Sequence, residues 1–263
     1  AEVAADAEAV ADAVAPAARQ EKVRAQLRSR KNCMRRRAKI IRPALALLLL
    51  ALTASPGAQT PGEFVKTHKK DILARLVKPL RAAQVAFPPK AVRIAVFKAE
   101  RKAELWLPDA NGRWKYVKDY AFSASSGKQG PKIYYGDLQI PEGIYRVDSM
   151  GLSKEYHLAL HLDHPNSFDL AMLEIDGRDP AFMSTGINVH GGAVSYGCVV
   201  IGNRNVEEVF LLAHFAGKEN TEVFIFPHDT NRTRPVFKPC EQCPVWYAEL
   251  QRTLANALPE FRH

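Results

Sequence analysis

The segment Ile187-Asn188-Val189-His190-Gly191-Gly192-Ala193-Val194-Ser195-Tyr196-Gly197-Cys198 sets an imidazole eight residues before a thiol, with glycines around both. The thiolate is the nucleophilic form of cysteine, and a free thiol titrates near pH 8.5. A neighbouring imidazole can take the thiol proton and return it to a leaving amine. Acyl transfer also needs donors for a developing oxyanion, which backbone N–H groups supply. Gly197 lets a turn approach a substrate carbonyl closely, so the Gly197 and Cys198 amides are candidates for that role. The same spacing also fits a buried apolar cysteine beside a strand-end histidine, and spacing alone does not separate the two.

Other side chains admit chemical and bland readings. Asp137 and Glu142 form a carboxylate pair of the kind glycoside hydrolysis uses, but they lie in turn-like sequence, which disfavours it. Lys128, Lys132 and Arg146 either meet carboxylates of a ligand or are solvated surface charges. Tyr134 and Tyr135 either line a cleft or pack. Cys240-Glu241-Gln242-Cys243 reads as a redox pair, half a zinc site or a local disulfide. The zinc reading lacks two ligands, with His228 the nearest histidine, and the disulfide is the favoured reading.

These groups need elements to hold them. Residues 59–62 read as a linker and 63–84 as a helix that Pro79 ends or kinks. Alternation or β-rich composition predicts strands over 91–98, 103–107, 114–123, 144–147, 156–162, 187–190 and 221–226. Residues 126–137 form a loop rich in Gly and Lys. His157 and His161 fall on one face of their strand. Residues 206–215 are helical, with Asn203 and Asn205 as candidate caps, and 244–257 are helical with Pro244 in the first turn. The expected class is mainly β (α+β), with flanking helices.

Residues 35–42 (Arg-Arg-Arg-Ala-Lys-Ile-Ile-Arg) precede an apolar run at 44–54 and a small-residue end at 55–58. That is the build of an export signal. A buried core helix and an uncleaved anchor are the other readings. Met34 reads as the true start, with residues 1–33 an over-extended frame or a tail. The organisation expected is therefore 1–33, a signal at 34–58, a helix and linker at 59–90, a catalytic domain at 91–230 and a helical extension at 231–263. The 263 residues are 47% hydrophobic and 25% charged, which excludes a collagen-like or wholly disordered chain. The net charge of +9 sits mostly before residue 59; residues 59–263 hold 26 basic and 23 acidic side chains. No nucleic-acid partner is expected.

His-Gly-Gly-x-x-Ser-x-Gly-Cys, at residues 190–198, resembles the active-site motif of the L,D-transpeptidase catalytic (YkuD) domain family, and in particular its YafK-like branch. Similar runs lie upstream in the same order: Ser126-Gly127-Lys128-Gln129-Gly130-Pro131-Lys132, Gly136-Asp137, Pro141-Glu142-Gly143-Ile144-Tyr145, Tyr156-His157-Leu158 and Pro165-Asn166-Ser167-Phe168-Asp169. The likeness runs from about residue 91 to 227. The common family pattern has a longer gap and reads Ser-His-Gly-Cys; here Tyr196 stands at the second position, as the short gap of the branch allows.

That resemblance implies a YkuD-like β-sandwich core and an exported, periplasmic enzyme with no metal or organic cofactor. It makes Cys198 the nucleophile and His190 the base. Ser195, Gly197 and the Cys198 amide then shape the oxyanion site, and Tyr196 and Gly191 are further oxyanion or substrate candidates. With His190 the one base in the motif, His157 is the second candidate, near the site or binding substrate, and a structural role is the other reading. The implied partners are diaminopimelate-containing peptidoglycan stem peptides and a peptidoglycan-linked outer-membrane lipoprotein. Cys198 would form a thioester that water resolves by hydrolysis or an amine resolves as a cross-link. A catalytically silent peptidoglycan-binding module is the competing expectation.

Overall fold

Thr60 opens the first element. Its Oγ1 accepts from Glu63 N at 3.2 Å, and the Glu63 carboxylate accepts from Thr60 N at 2.7 Å. This capping box starts helix α1 (Pro61–Ala83), inside the stretch expected to be a linker. Pro79 does not end the helix, which runs on to Ala83 and closes on Gln84 in a left-handed conformation. The computed structural model describes residues 59–179, 183, 186–229 and 243–263. The export signal, the Met34 start and Cys240 lie outside the described residues. Cys243 is disulfide-bonded. No helix among the described residues is long and apolar enough to cross a membrane.

Among the described residues eight strands follow: β1 (Val92–Phe97), β2 (Lys102–Pro108), β3 (Trp114–Ala121), β4 (Gly143–Ser153), β5 (His157–Leu162), β6 (Asn188–His190), β7 (Val199–Val200) and β8 (Thr221–Phe226). They form one mixed sheet in the order β3-β2-β1-β8-β4-β5-β6-β7. β4 is the hinge of this sheet. Its first residues pair with β8 and its later ones with β5, across a bulge between Val147 and Ser149. A bulge bends a strand and increases its twist, so the sheet curls into two halves, and this α+β architecture matches the expected β-rich core with flanking helices.

The inner face packs on α1 and on α3 (Asn203–Ala216). Ile94, Leu105, Leu158, Leu160, Val189 and Val223 meet Ile72, Leu76, Val209 and Phe210 there. The outer face of the first half packs Phe97, Trp106 and Phe226 on α4 (Tyr247–Ala257) and Phe261. α4 starts at Tyr247, beyond the expected Pro244. α3 starts after Gly202, and neither candidate asparagine caps it. Asn203 Oδ1 instead accepts from Gly192 N at 2.6 Å, and Asn205 donates to Ile201 O at 2.8 Å. Helix α2 (Ser167–Ile175) is an element the periodicity did not predict; its signal was the Asn166/Asp169 capping box.

Candidate active site

Register brings the thiol to the imidazole's strand. β6 runs parallel to β7, with Val189 opposite Val199 and His190 opposite Val200. Side chains alternate along a strand. Val189 enters the core, so Asn188 and His190 share the other face. Cys198 immediately precedes β7, which sets it beside Asn188. Its Sγ lies 3.9 Å from Gly186 O. Cys198 is the free cysteine among the described residues. Burial pushes its thiol up, opposed by the Asn188 N–H groups and by the Lys132 charge.

His190 is buried, and burial pushes its imidazole below the usual histidine range, against the pull of the Gly191 carbonyl. Nδ1 lies 2.5 Å from Gly191 O. A carbonyl only accepts, so Nδ1 carries the proton and Nε2 keeps its lone pair. The Tyr156 ring packs on the imidazole at 4.5 Å between centroids. The neutral imidazole therefore presents a proton acceptor on the face that also carries the thiol.

The turn from Gly191 to Cys198 is tied down along its length. A Cβ at Gly191 would sit 2.6 Å from Asn203 Oδ1 and 2.8 Å from Tyr156 O, so only glycine fits. Ser123 Oγ donates to Gly192 O at 2.8 Å. At the far end, Gly197 N donates to Ser126 Oγ at 2.8 Å. Ser126 Oγ lies 2.9 Å from Ser195 Oγ, which donates to Cys198 O at 2.8 Å. Gly197 N also reaches Ser195 Oγ at 3.3 Å, so the two hydroxyls form a relay that closes the turn. It engages the Gly197 N–H, one of the two amides expected to face an oxyanion, and gives Ser195 a supporting position under the turn. Gly197 has φ +109°, and a Cβ there would lie 2.8 Å from Gln139 O.

Two sequence relatives match part of the chain. Each carries the name "Putative L,D-transpeptidase YafK", from Escherichia coli K12 and from Escherichia coli O157:H7. Each is 30% identical over 141 residues, covering 52% of this chain and 54% of the relative. The chain is homologous to YafK over that stretch. It spans about half the length of the curated relatives it matches. No family model matches. Among solved structures, the helical cell shape determining protein Pgp2 from Campylobacter jejuni is 16% identical, with TM-score 0.40 over 61% of this chain and 55% of that one. Bd1075 from Bdellovibrio bacteriovorus is 20% identical, with TM-score 0.39 over 66% and 57%.

The remaining candidates separate. Tyr196 is 69% exposed on the turn, and Tyr134 and Tyr135 are 57% and 72% exposed on the facing loop. Lys128 and Arg146 are exposed, but Lys132 is buried and ion-paired with Asp137 at 2.5 Å. Asp137 also accepts from Ile133 N at 2.7 Å, Tyr134 N at 3.1 Å and Gln139 N at 3.0 Å. Burial alone would raise its pKa; Lys132 and these N–H groups outweigh that and hold it below the usual carboxylate range. Glu142 is buried against Lys98 at 2.9 Å. The two carboxylates are therefore internal anchors of the loop, not a catalytic pair. His157 does not share a face with His161. Its φ of +64° breaks the alternation, and its ring meets Phe64 edge-on at 5.8 Å and Glu207 at 2.9 Å. Among the described residues, no three His, Cys, Asp or Glu side chains cluster to hold a metal.

Asn188, Tyr156 and Ser126 were the residues that motif reading left without a role. Strand alternation from His190 was the available signal for Asn188. Nothing local ties Ser126 to Ser195, 69 residues away.

Proposed function

We propose that the protein is a cysteine acyl-transfer enzyme of the L,D-transpeptidase type, acting on diaminopimelate-containing peptide stems of peptidoglycan outside the cytoplasmic membrane. The observation that carries this reading is the free Cys198 thiol on the His190 face of β6, with the His190 Nδ1 proton held by Gly191 O. The homology to YafK supports the same reaction class. The basic and apolar run at 35–54 supports export.

In this reading His190 Nε2 takes the Sγ proton as the sulfur attacks the substrate carbonyl. The C–N bond breaks, the leaving amine takes that proton from His190, and a thioester remains on Cys198. Water or an amine then attacks the thioester, giving His190 a proton that passes to the departing Sγ. With the Gly197 amide engaged by Ser126, the Cys198 N–H is the backbone donor left from the expected oxyanion pair. Tyr196 and Tyr134 are exposed rings that a substrate could meet.

Water as the acceptor fits release of a peptidoglycan-linked lipoprotein. Mass spectrometry of muropeptides tests it, with sacculi carrying bound lipoprotein incubated with the protein or with Cys198→Ala. Loss of lipoprotein-bearing muropeptides with the wild type alone is the expected result. A gain of diaminopimelate–diaminopimelate links would make it a cross-linking transpeptidase instead. Sacculus binding with no muropeptide change would make it a binding module and end the enzyme reading.

A further inference from the structure

Asn188 opens β6 on the face that carries His190, and the β6–β7 register sets it next to Cys198. Only 5% of the residue is exposed. A buried primary amide has two N–H donors and one acceptor oxygen to satisfy. One Nδ2 hydrogen goes to Gly186 O at 3.0 Å. That bond also decides which way the amide points, because the flipped amide would set two oxygens together. The same carbonyl lies 3.9 Å from Cys198 Sγ, so the amide nitrogen and the sulfur converge on one atom. Both the main-chain and the side-chain N–H of Asn188 favour the thiolate over the thiol. Oδ1 is buried and has no hydrogen-bond partner among the described residues. Native proteins rarely leave such an oxygen empty, and next to a nucleophile it marks the place of a donor the protein itself does not supply.

We propose that Asn188 is the positioning residue of the nucleophile, its N–H groups seating Cys198 Sγ while its Oδ1 receives an N–H of the bound acyl donor. As the thiol proton leaves for His190, the S–H contact to Gly186 O is lost and the second Nδ2 hydrogen takes the sulfur. The ligand group that Oδ1 takes is a hydrogen-bond donor; a carboxylate there would face a lone pair. This second half rests on the peptide-stem reading, and the first half does not.

The test has two arms. Iodoacetamide alkylation of Cys198, followed by peptide mass spectrometry, is measured against pH in wild type, Asn188→Ala and Asn188→Asp. Circular dichroism and thermal unfolding check that each variant is folded. His190, Lys132, Tyr156, Tyr196 and His161, the titratable groups around the two residues, are unchanged in all three. The alkylation limb should move up by about one pH unit in Asn188→Ala and further in Asn188→Asp, whose carboxylate repels the thiolate. An unmoved limb in a folded variant overturns the seating of the sulfur. Should the alanine variant not fold, the near-isosteric and uncharged Asn188→Leu takes its place, since it removes the amide donor without adding a charge beside the sulfur. In the second arm, muropeptide turnover should show lower kcat in both variants. KM should rise in Asn188→Ala but hold in Asn188→Asp, which keeps an oxygen where Oδ1 stands. An unchanged KM in Asn188→Ala overturns the ligand contact. Absence of wild-type turnover sinks the peptide-stem reading and the ligand contact with it, while the alkylation arm still decides the first half.

Discussion

At the residue scale, burial governs the reactive pair. It pushes the Cys198 thiol up and the His190 imidazole down, so the resting pair is neutral, not a thiolate–imidazolium ion pair. Alkylation of Cys198 by iodoacetamide should therefore rise along one limb, with a midpoint above the free-cysteine value of about 8.5. A reactive plateau near pH 5–6 would contradict a neutral pair. Gly197 is the second residue whose chemistry is plain. Gly197→Ala would strain a left-handed backbone and drive a methyl into Gln139 O at 2.8 Å. The expected loss is about 1–3 kcal/mol of stability, read from urea unfolding. The thiol limb should shift in the same variant, because the turn that ends at Cys198 must open.

At the element scale, the loop between β3 and β4 depends on a buried node. Lys98 Nζ donates to Glu142 at 2.9 Å, to Gly130 O at 2.6 Å and to Ile140 O at 2.8 Å. Glu142 also accepts from Gly130 N at 2.9 Å and from Tyr247 of α4 at 2.6 Å. Removing one partner of a buried ion pair leaves the other charge uncompensated. Glu142→Ala should cost about 3–5 kcal/mol, seen as a large fall in Tm. Helix α2 makes a pH prediction. Asp169 accepts from Asn166 N at 3.0 Å as part of its cap, yet burial raises its pKa to about 6. An unfolded aspartate titrates near 3.9, so between about pH 3.9 and 6 the folded state holds more protons. Asp169 thus weakens the fold as pH rises through that window, and the whole cost is present above it. Asp169→Asn keeps the acceptor and should add about 1–2 kcal/mol at pH 7 but nothing at pH 3.5, measured by denaturant unfolding at both.

At the scale of the whole molecule, one sheet serves two apolar clusters. Along β1, Ile94 and Val96 face inward while Ala95 and Phe97 face outward; along β8, Val223 and Ile225 face inward while Phe224 and Phe226 face outward. The clusters share strands, so they should unfold together. All three tryptophans lie in or against the outer cluster, so their fluorescence reports it. Phe261 packs there on Phe224 at 4.9 Å and on Trp106 at 5.5 Å between centroids. Phe261→Ala should lower stability by about 3 kcal/mol, with tryptophan fluorescence and far-UV circular dichroism moving as one transition. Two separated transitions would show that α4 and its cluster melt on their own.

Much of this was legible locally. Seven of the eight strands were readable from alternation or β-rich composition, because a strand buried on one face must alternate. The His190–Cys198 segment stood out because its residue types are those acyl transfer uses. Element ends were read less well. Thr60 and Glu63 began a helix where composition suggested a linker, and Pro79 sat inside it. β7 is two residues long and carries too little pattern to read. What only the tertiary structure decided is which groups meet. The parallel β6–β7 register set Asn188 beside the thiol, and a positive φ turned His157 to Glu207. Ser126 reached the turn from 69 residues away. Sequence by itself determined residue chemistry and local periodicity, since both depend on near neighbours along the chain. Burial, register and the partners of each polar group depend on atoms distant in sequence, and these assign each candidate its place.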